Sequence, residues 1–389
     1  MLSRQAVASG VWGGLIGQDR VVEVLQRAVL GDKNAMTHGW LFAGPPGSGR
    51  SVAARAFAAA LQCEQGGCGE CLTCRTVLNG THPDVQLVNT ERLNIGVDEI
   101  RELARKGSMS PTLGTWQIIV VEDADRITER GADALLKSLE EPPPRTVWIL
   151  CAPNAEDLIV TIRSRLRKVQ LTTPSDEQVA ELLVQRDGVE LSMARTAARA
   201  AQGHIGRARA LAVNPEMLQA RRDTLLIPSR LISVEACLSI AQQLIESTTE
   251  QAKRLTADLE ETERAELLTA LGVKGARGDT AFKELEEQQK LRAKRMQRDA
   301  LDQVLTELAT WYRDVLSTQL EASQTDEDGS RLINIELVPE ITKSARSSTP
   351  KQTIARLDAL IAARTALERN VTPLLAMEAL LLELAHPGA

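Results

Sequence analysis

Gly44-Pro45-Pro46-Gly47-Ser48-Gly49-Arg50-Ser51 follows the apolar run Trp40-Leu41-Phe42-Ala43 and precedes a helical pattern that starts at Val52. A glycine-rich loop between a strand and a helix leaves few folds open. It matches G-x-x-x-x-G-K-[ST] at every fixed position except the lysine. Glycines let successive backbone N–H groups close around phosphate oxygens, and a helix opening near Arg50 adds its positive end. Gly44, Pro45, Gly47, Ser48, Gly49, Arg50 and Ser51 are therefore the candidate residues for ATP or ADP, with the Ser51 hydroxyl offered to Mg²⁺. The plainer alternative, a turn without a ligand, fits the flanking elements less well. Arginine for lysine is not a conservative change at a phosphate site, because a planar fork replaces a compact charge.

Five apolar runs alternate with helical patterns over the first 170 residues, as in a parallel sheet covered by helices. The candidate strands are 40–43, 85–88, 117–121, 147–151 and 168–171; the helices are 52–62, 97–106 and 132–140, the last stopped by Pro142-Pro143-Pro144. Past Thr172-Thr173-Pro174 the texture turns to short Ala/Leu/Arg-rich helices. From Pro228 onward helices dominate, with Ile333 to Val338 as the one strand-like stretch and Gln324 to Ser330 as a loop. The expected domains are 1–172, an α/β nucleotide-binding domain with a cysteine module at 63–74; 173–225, a small three-helix domain; and 226–389, all-α.

The strand 117–121 runs into Glu122-Asp123, where an acidic pair would hold Mg²⁺ and orient water. The usual order is Asp then Glu. The inversion puts a longer acid at the metal and a shorter one at the water, and misplacement of that size can cost on the order of 10²-fold in rate. A solvated acidic loop is the competing reading.

Cys63, Cys68, Cys71 and Cys74 lie within twelve residues, while Cys151 and Cys237 stand apart. This is a cluster, not a disulfide framework. Four thiolates with no open position describe a structural tetrahedral Zn²⁺ site, ahead of an iron–sulfur cluster or reduced thiols, and the metal would brace a module protruding after the phosphate-loop helix. His82 reads as a loop residue rather than a fifth ligand.

Forty-six Lys and Arg against 52 Asp and Glu, a net charge of -6, exclude a protein that coats nucleic acid by bulk electrostatics. Five Trp, 3 Phe and 1 Tyr in 389 residues make a poor base-stacking platform. The cationic run within Phe282 to Leu316 (Lys290, Arg292, Lys294, Arg295, Arg298) is read as a solvated helix of mixed charge before a phosphate-facing surface. No stretch approaches the roughly 20 apolar residues of a bilayer span. The first eighteen residues lack the apolar core of a signal peptide, so the expected compartment is the cytoplasm.

Together these residues resemble the bacterial clamp-loader branch of the AAA+ ATPases. The resemblance rests on His38-Gly39-Trp40-Leu41-Phe42, the phosphate loop, the four-cysteine insert, Gly80-Thr81-His82-Pro83-Asp84, Ile95-Gly96-Val97-Asp98-Glu99-Ile100-Arg101, and above all Ala134-Leu135-Leu136-Lys137-Ser138-Leu139-Glu140-Glu141-Pro142-Pro143. It is continuous over about the first 225 residues and patchy until Asn370-Val371-Thr372-Pro373-Leu374-Leu375-Ala376.

The resemblance implies a RecA-like domain, a three-helix lid and a helical collar that holds subunits of the DNA polymerase III holoenzyme in a ring. It implies gamma/tau-type and delta-type subunits, the sliding clamp and, through the assembly, primer-template DNA as partners. In Thr161-Ile162-Arg163-Ser164-Arg165-Leu166, where the family has Ser-Arg-Cys, Arg165 corresponds to the finger that reaches a neighbour's ATP, and Arg207 to the lid arginine that senses nucleotide. Ala152-Pro153 replaces a threonine pair that senses the γ-phosphate in the motor subunits. Arg50, the Glu122-Asp123 inversion and Ala152-Pro153 all imply weak or absent hydrolysis, as in a stator-type subunit. The chain's ending soon after Leu384, without the long extension of tau-like subunits, leans the same way. An active gamma/tau-type motor is the alternative.

Overall fold

The computed structural model describes residues 10–32, 35–88, 94–271, 276–320, 332–369 and 371–387. The expected loop at 324–330, Asn370 and the start of the N-terminal segment lie outside them. The chain divides into two compact units, Met1–Val213 and Asn214–Ala389.

The first unit opens with a short 3₁₀ turn, Gly10–Gly14, and then follows in order α1 (Asp19–Val29), β1 (Gly39–Ala43), α2 (Arg50–Gln62), α3 (Leu72–Leu78), β2 (Val85–Val88), α4 (Val97–Gly107), β3 (Gln117–Val121), α5 (Glu129–Glu140), β4 (Thr146–Ala152), α6 (Val160–Arg163), β5 (Arg167–Gln170), α7 (Asp176–Asp187), α8 (Leu191–Ala201) and α9 (Ile205–Val213). All strands pair in parallel, in the order β2-β3-β4-β1-β5. The five expected strands are therefore present, each within a residue of its expected ends.

Their sequences are apolar throughout because both faces of the sheet are covered. Successive side chains point to opposite faces. Ile118, Val120, Ile149 and Phe42 join α1, α2 and α3 on one side, whereas Ile119, Val121, Leu150 and Leu41 join α4 and α5 on the other. The order places β1 beside β4 in the middle, so the loop leaving β1 opens at the carboxyl ends of the strands, where ligands of such sheets bind.

Helices α7 to α9 form a small three-helix core built largely from alanines (Ala180, Ala194, Ala197, Ala201, Ala208) together with Val179, Leu183 and Leu211. Ser175 starts α7 by accepting from Gln178 N–H, while the Gln178 side chain accepts from Ser175 N–H, a reciprocal cap.

The second unit contains α10 (Pro215–Leu225), α11 (Val234–Leu271), α12 (Ala276–Gln319), α13 (Val338–Ser347), α14 (Pro350–Glu368) and α15 (Pro373–Ala385). Its core joins Cys237, Ile240, Leu305, Leu308, Trp311, Tyr312, Leu360 and Met377. Further out, α11 and α12 are held by polar pairs, Gln297 to Thr249 at 2.6 Å and Arg292 to Glu263 at 2.6 and 3.0 Å. Arg292 is thereby buried in the helix pair and Arg295 faces Asp299, while Lys290 and Lys294 of the same run are exposed.

The strand-like stretch at Ile333 to Val338 is not a strand: it forms a 3₁₀ turn, Ile335–Leu337, and the start of α13. Asn334 is buried within hydrogen-bonding distance of Thr310 and Asp314, so tertiary contacts override the alternation. Among the described residues no helix is long and apolar enough to cross a membrane.

Candidate functional site: phosphate loop, acidic strand end and cysteine cluster

The loop after β1 takes two left-handed residues, Gly47 (φ 85°) and Gly49 (φ 87°), a region that glycine enters without steric cost. Gly49 starts α2 with no side-chain cap, so the first N–H groups of the helix are left for a ligand. Ser48 is 2% exposed and its hydroxyl has no hydrogen-bond partner; it turns inside the loop, 2.6 Å from where a Cβ on Gly44 would stand. The loop is anchored from behind. Gly44 N–H donates to the carbonyls of Ala152 and Pro153, and the Gln18 amide bridges Ser48 and Thr172.

Arg50, in the lysine position, folds back across the loop and donates to the Gly44 carbonyl at 2.7 Å. The turn before α9 meets the same place. A Cβ on Gly47 would come within 2.5 Å of the His204 backbone, just before α9. Arg207 N–H donates to His204 Nδ1 at 3.2 Å. Packing, together with the positive charges of Arg207 and Arg50, holds the His204 imidazole below its usual range. Arg165 is not part of it. Its carbonyl lies 3.2 Å from a would-be Cβ on Gly39, at the opposite end of β1 from the loop.

Glu122 continues β3, its N–H donating to Val88. Its side chain is 9% exposed, and one carboxylate oxygen accepts from both Nε and Nη2 of Arg55, at 2.9 and 2.8 Å. Asp123 follows where the chain has already turned into the 3₁₀ helix Ala124–Arg126. The loop's donors fit phosphate, and Glu122, the carboxylate in the metal position, is already paired with a guanidinium.

The cysteine cluster spans the end of α2 and the start of α3. Cys63 Sγ lies 3.8 Å from the sulfurs of Cys68 and Cys71, Cys68 lies 4.0 Å from Cys74, and all four fall within 4.8 Å of one another. Tetrahedral thiolate ligation at roughly 2.3 Å places sulfurs roughly 3.8 Å apart, so the four residues fit one metal ion.

Backbone N–H groups of Cys71 and Cys74 donate to Cys68 and Cys71 at 3.4 Å, as thiolates require. Burial opposes ionisation of Cys63, yet backbone N–H groups of Cys68, Gly67 and Gln65 bring its thiol down to about 6; burial pushes Cys74 up. The segment does not protrude. Cys63 and Cys74 sit in the main core, and Val11 N–H donates to Gly67 at 3.0 Å. His82 stays outside the cluster, its Nδ1 accepting from Asp84 N–H.

Arg165 follows α6 at the surface. It donates to the Thr161 carbonyl at 2.6 Å and to the Glu140 carboxylate. No motif points to Arg55 or Gln18, nor to the holding of Arg165 by Glu140. An arginine one turn past the loop looks like any solvated helix residue, and its partner lies 67 positions away.

Residues 17–175 match the family model described as DNA polymerase III, delta subunit. The tau subunit of DNA polymerase III from Bacillus subtilis (strain 168) is 34% identical over 158 residues, 40% of this chain and 28% of its own. The delta' subunit from Pseudomonas aeruginosa is 36% identical over 159 residues, 39% of this chain and 48% of its own. The delta' subunit from Bacillus subtilis is 30% identical over 207 residues, 52% of this chain and 62% of its own. The chain thus spans between about a quarter and three fifths of the length of these relatives.

Proposed function

We propose that this chain, whose residues 17–175 match the DNA polymerase III delta-subunit family model and which is similar to delta' subunits, is a delta-prime-like stator subunit of the bacterial sliding-clamp loader. It offers Arg165 to the ATP of a neighbouring motor subunit and binds nucleotide at Gly44 to Ser51 without turning it over. One observation carries the reading: Arg165 stands at the start of β1 and the phosphate loop at its end, a strand length of roughly 13 Å at about 3.3 Å per residue, so the guanidinium serves another subunit's phosphates rather than its own.

The proposed domains are 1–172, a lid over 173–225 and a collar over 226–389; within the lid range the three-helix core is α7 to α9, and α10 falls in the compact unit that begins at Asn214. The proposed partners are gamma/tau-type and delta-type subunits, the sliding clamp, and primer-template DNA held by the assembly. Zn²⁺ is the ion proposed for Cys63, Cys68, Cys71 and Cys74, where it closes the turn between α2 and α3 and does no chemistry. The lid arginine Arg207 is proposed to sense the bound nucleotide.

In favour of the motor reading stand the identities to tau and gamma/tau subunits, 34% for the one from Bacillus subtilis. Against it stand Arg50 turned onto Gly44, Glu122 committed to Arg55, and Ala152-Pro153, which bring no side-chain hydroxyl to the strand end.

Reconstitution with motor, delta-type and clamp subunits of the same source tests this. DNA-stimulated ATPase is expected to require this chain and to fall about tenfold or more in Arg165→Ala with assembly intact. Turnover by the purified chain alone, abolished by Asp123→Ala, would instead establish the motor.

A further inference from the structure

Arg55 is the residue of this site that no motif calls for. It lies one turn into α2, on the side facing β3, and both Nε and Nη2 close on Glu122 Oε1. Glu122 holds the strand-end position at which a carboxylate would recruit Mg²⁺, through water or directly. We propose that Arg55 is a built-in counter-cation, so that the loop Gly44 to Ser51 takes the phosphates of a nucleoside diphosphate or triphosphate without Mg²⁺; this rests on the nucleotide part of the function proposed above.

Two sets of observations point the same way. The loop is made for an anion. The thirteen-residue α2 has an uncapped N-terminus, and the buried Ser48 hydroxyl is turned into the loop without a partner. The cation side is made without a metal. Mg²⁺ demands nearly octahedral oxygen ligation and gives up water reluctantly. Here the carboxylate that would attract it is 9% exposed and held in a charge-assisted pair, which the ion would have to break.

Arg50 keeps the single positive charge of the lysine it replaces, and Arg55 balances the Glu122 carboxylate that a divalent ion would otherwise balance. Both are fixed by hydrogen bonds, to Gly44 at 2.7 Å and to Glu122 at 2.8 Å. Arg55 uses Nε and Nη2 on Glu122 and keeps about a third of its side chain exposed. The result is a site that holds charge without placing a metal at a γ-phosphate, as retention without turnover requires.

The test is calorimetric titration of the full chain with ADP, in divalent-free buffer prepared without a chelator so that the cysteine cluster keeps its metal, and again with millimolar MgCl₂. Kd is expected to agree within about twofold between the two conditions. Arg55→Gln is expected to weaken ADP about tenfold without Mg²⁺ and to regain affinity when Mg²⁺ is added, while Arg55→Lys stays independent of Mg²⁺. Strengthening of the unmodified chain's affinity by about tenfold with Mg²⁺ overturns the counter-cation and leaves the nucleotide reading standing. Absence of ADP binding in both conditions overturns both. The comparison on the unmodified chain decides the matter even where a variant does not fold.

Discussion

Arg165 is gripped by Glu140: one arm of the guanidinium donates to the Glu140 carboxylate, and the other to the Thr161 carbonyl at 2.6 Å. Glu140 is the last residue of α5, inside the run Ser138-Leu139-Glu140-Glu141-Pro142, and the prolines that end the helix fix where it points. An arginine meant for another subunit's phosphate gains from being held in advance, since ordering a long side chain at the moment of reaction is costly.

Glu140→Ala is therefore expected to act on rate and not on folding. Both side chains are more than a third exposed, and pairs of this kind contribute little to stability, about 0–1 kcal/mol. DNA-stimulated ATPase of the reconstituted loader should fall about three- to tenfold, less than with Arg165→Ala, and the thermal midpoint should stay put. Equal rates for Glu140→Ala and the unmodified chain would remove Glu140 from the finger's support.

The cysteine cluster predicts one metal ion per chain by elemental analysis. Cys74→Ser should abolish it and Cys151→Ser should leave it intact, because Cys151 lies buried in β4, apart from the four sulfurs. Binding energy at such a site is folding energy, so the loss should cost on the order of 3 kcal/mol or more. Gly67 accepts from Val11, so hydrogen exchange should rise across residues 10–14 as well as 63–74. Full metal content in Cys74→Ser would exclude the four-sulfur site.

The strands were legible because a sheet covered on both faces demands unbroken apolar runs, and the helix ends because Ser175, Gly49 and Pro142 act locally. The glycine loop and the cysteine spacing were legible for the same reason: their chemistry is contiguous in the chain. Arg55 with Glu122 and Arg165 with Glu140 were not, since each pair joins distant positions and each member alone resembles a solvated charge. Ile333 to Val338 misled in the opposite way. It looks strand-like, but the buried members are Asn334, drawn inward by Thr310 and Asp314, and Leu337, three positions on, as a helical turn requires.

Asp84 predicts an acid-labile loop. Burial disfavours its charge, but N–H groups of Thr112, Gly114 and Leu113 at 2.6, 2.6 and 2.8 Å overcome this and hold its carboxyl below the usual range. With the folded pKa below the unfolded one, the contribution is complete above the unfolded value of about 4 and is lost as pH falls through the folded value. Asp84→Asn should thus be less stable at neutral pH by about 1–3 kcal/mol, with the gap to the unmodified chain narrowing below about pH 4. Denaturant midpoints across that range check the sign; a gap that widens in acid would contradict it.

Arg221 predicts which side of the lid boundary α10 belongs to. Its side chain is 3% exposed and donates to Glu307 at 3.1 Å, to Glu336 at 2.5 Å and to Asn334, three partners from α12 and the 334–336 turn. Asn214 caps α10 at its start, accepting from Glu216 and Met217. Removing the guanidinium leaves the Glu307 carboxylate buried against an apolar core without its cation, at a cost of about 3–5 kcal/mol. Arg221→Ala should therefore raise hydrogen exchange in α10 and along α12 near Glu307 while α7 to α9 keep their protection. Arg221→Ala with Glu307→Gln should cost less than the sum of the single changes, because the second removes the stranded charge. If α7 to α9 lost protection instead, α10 would belong with the lid, as the sequence texture alone suggested.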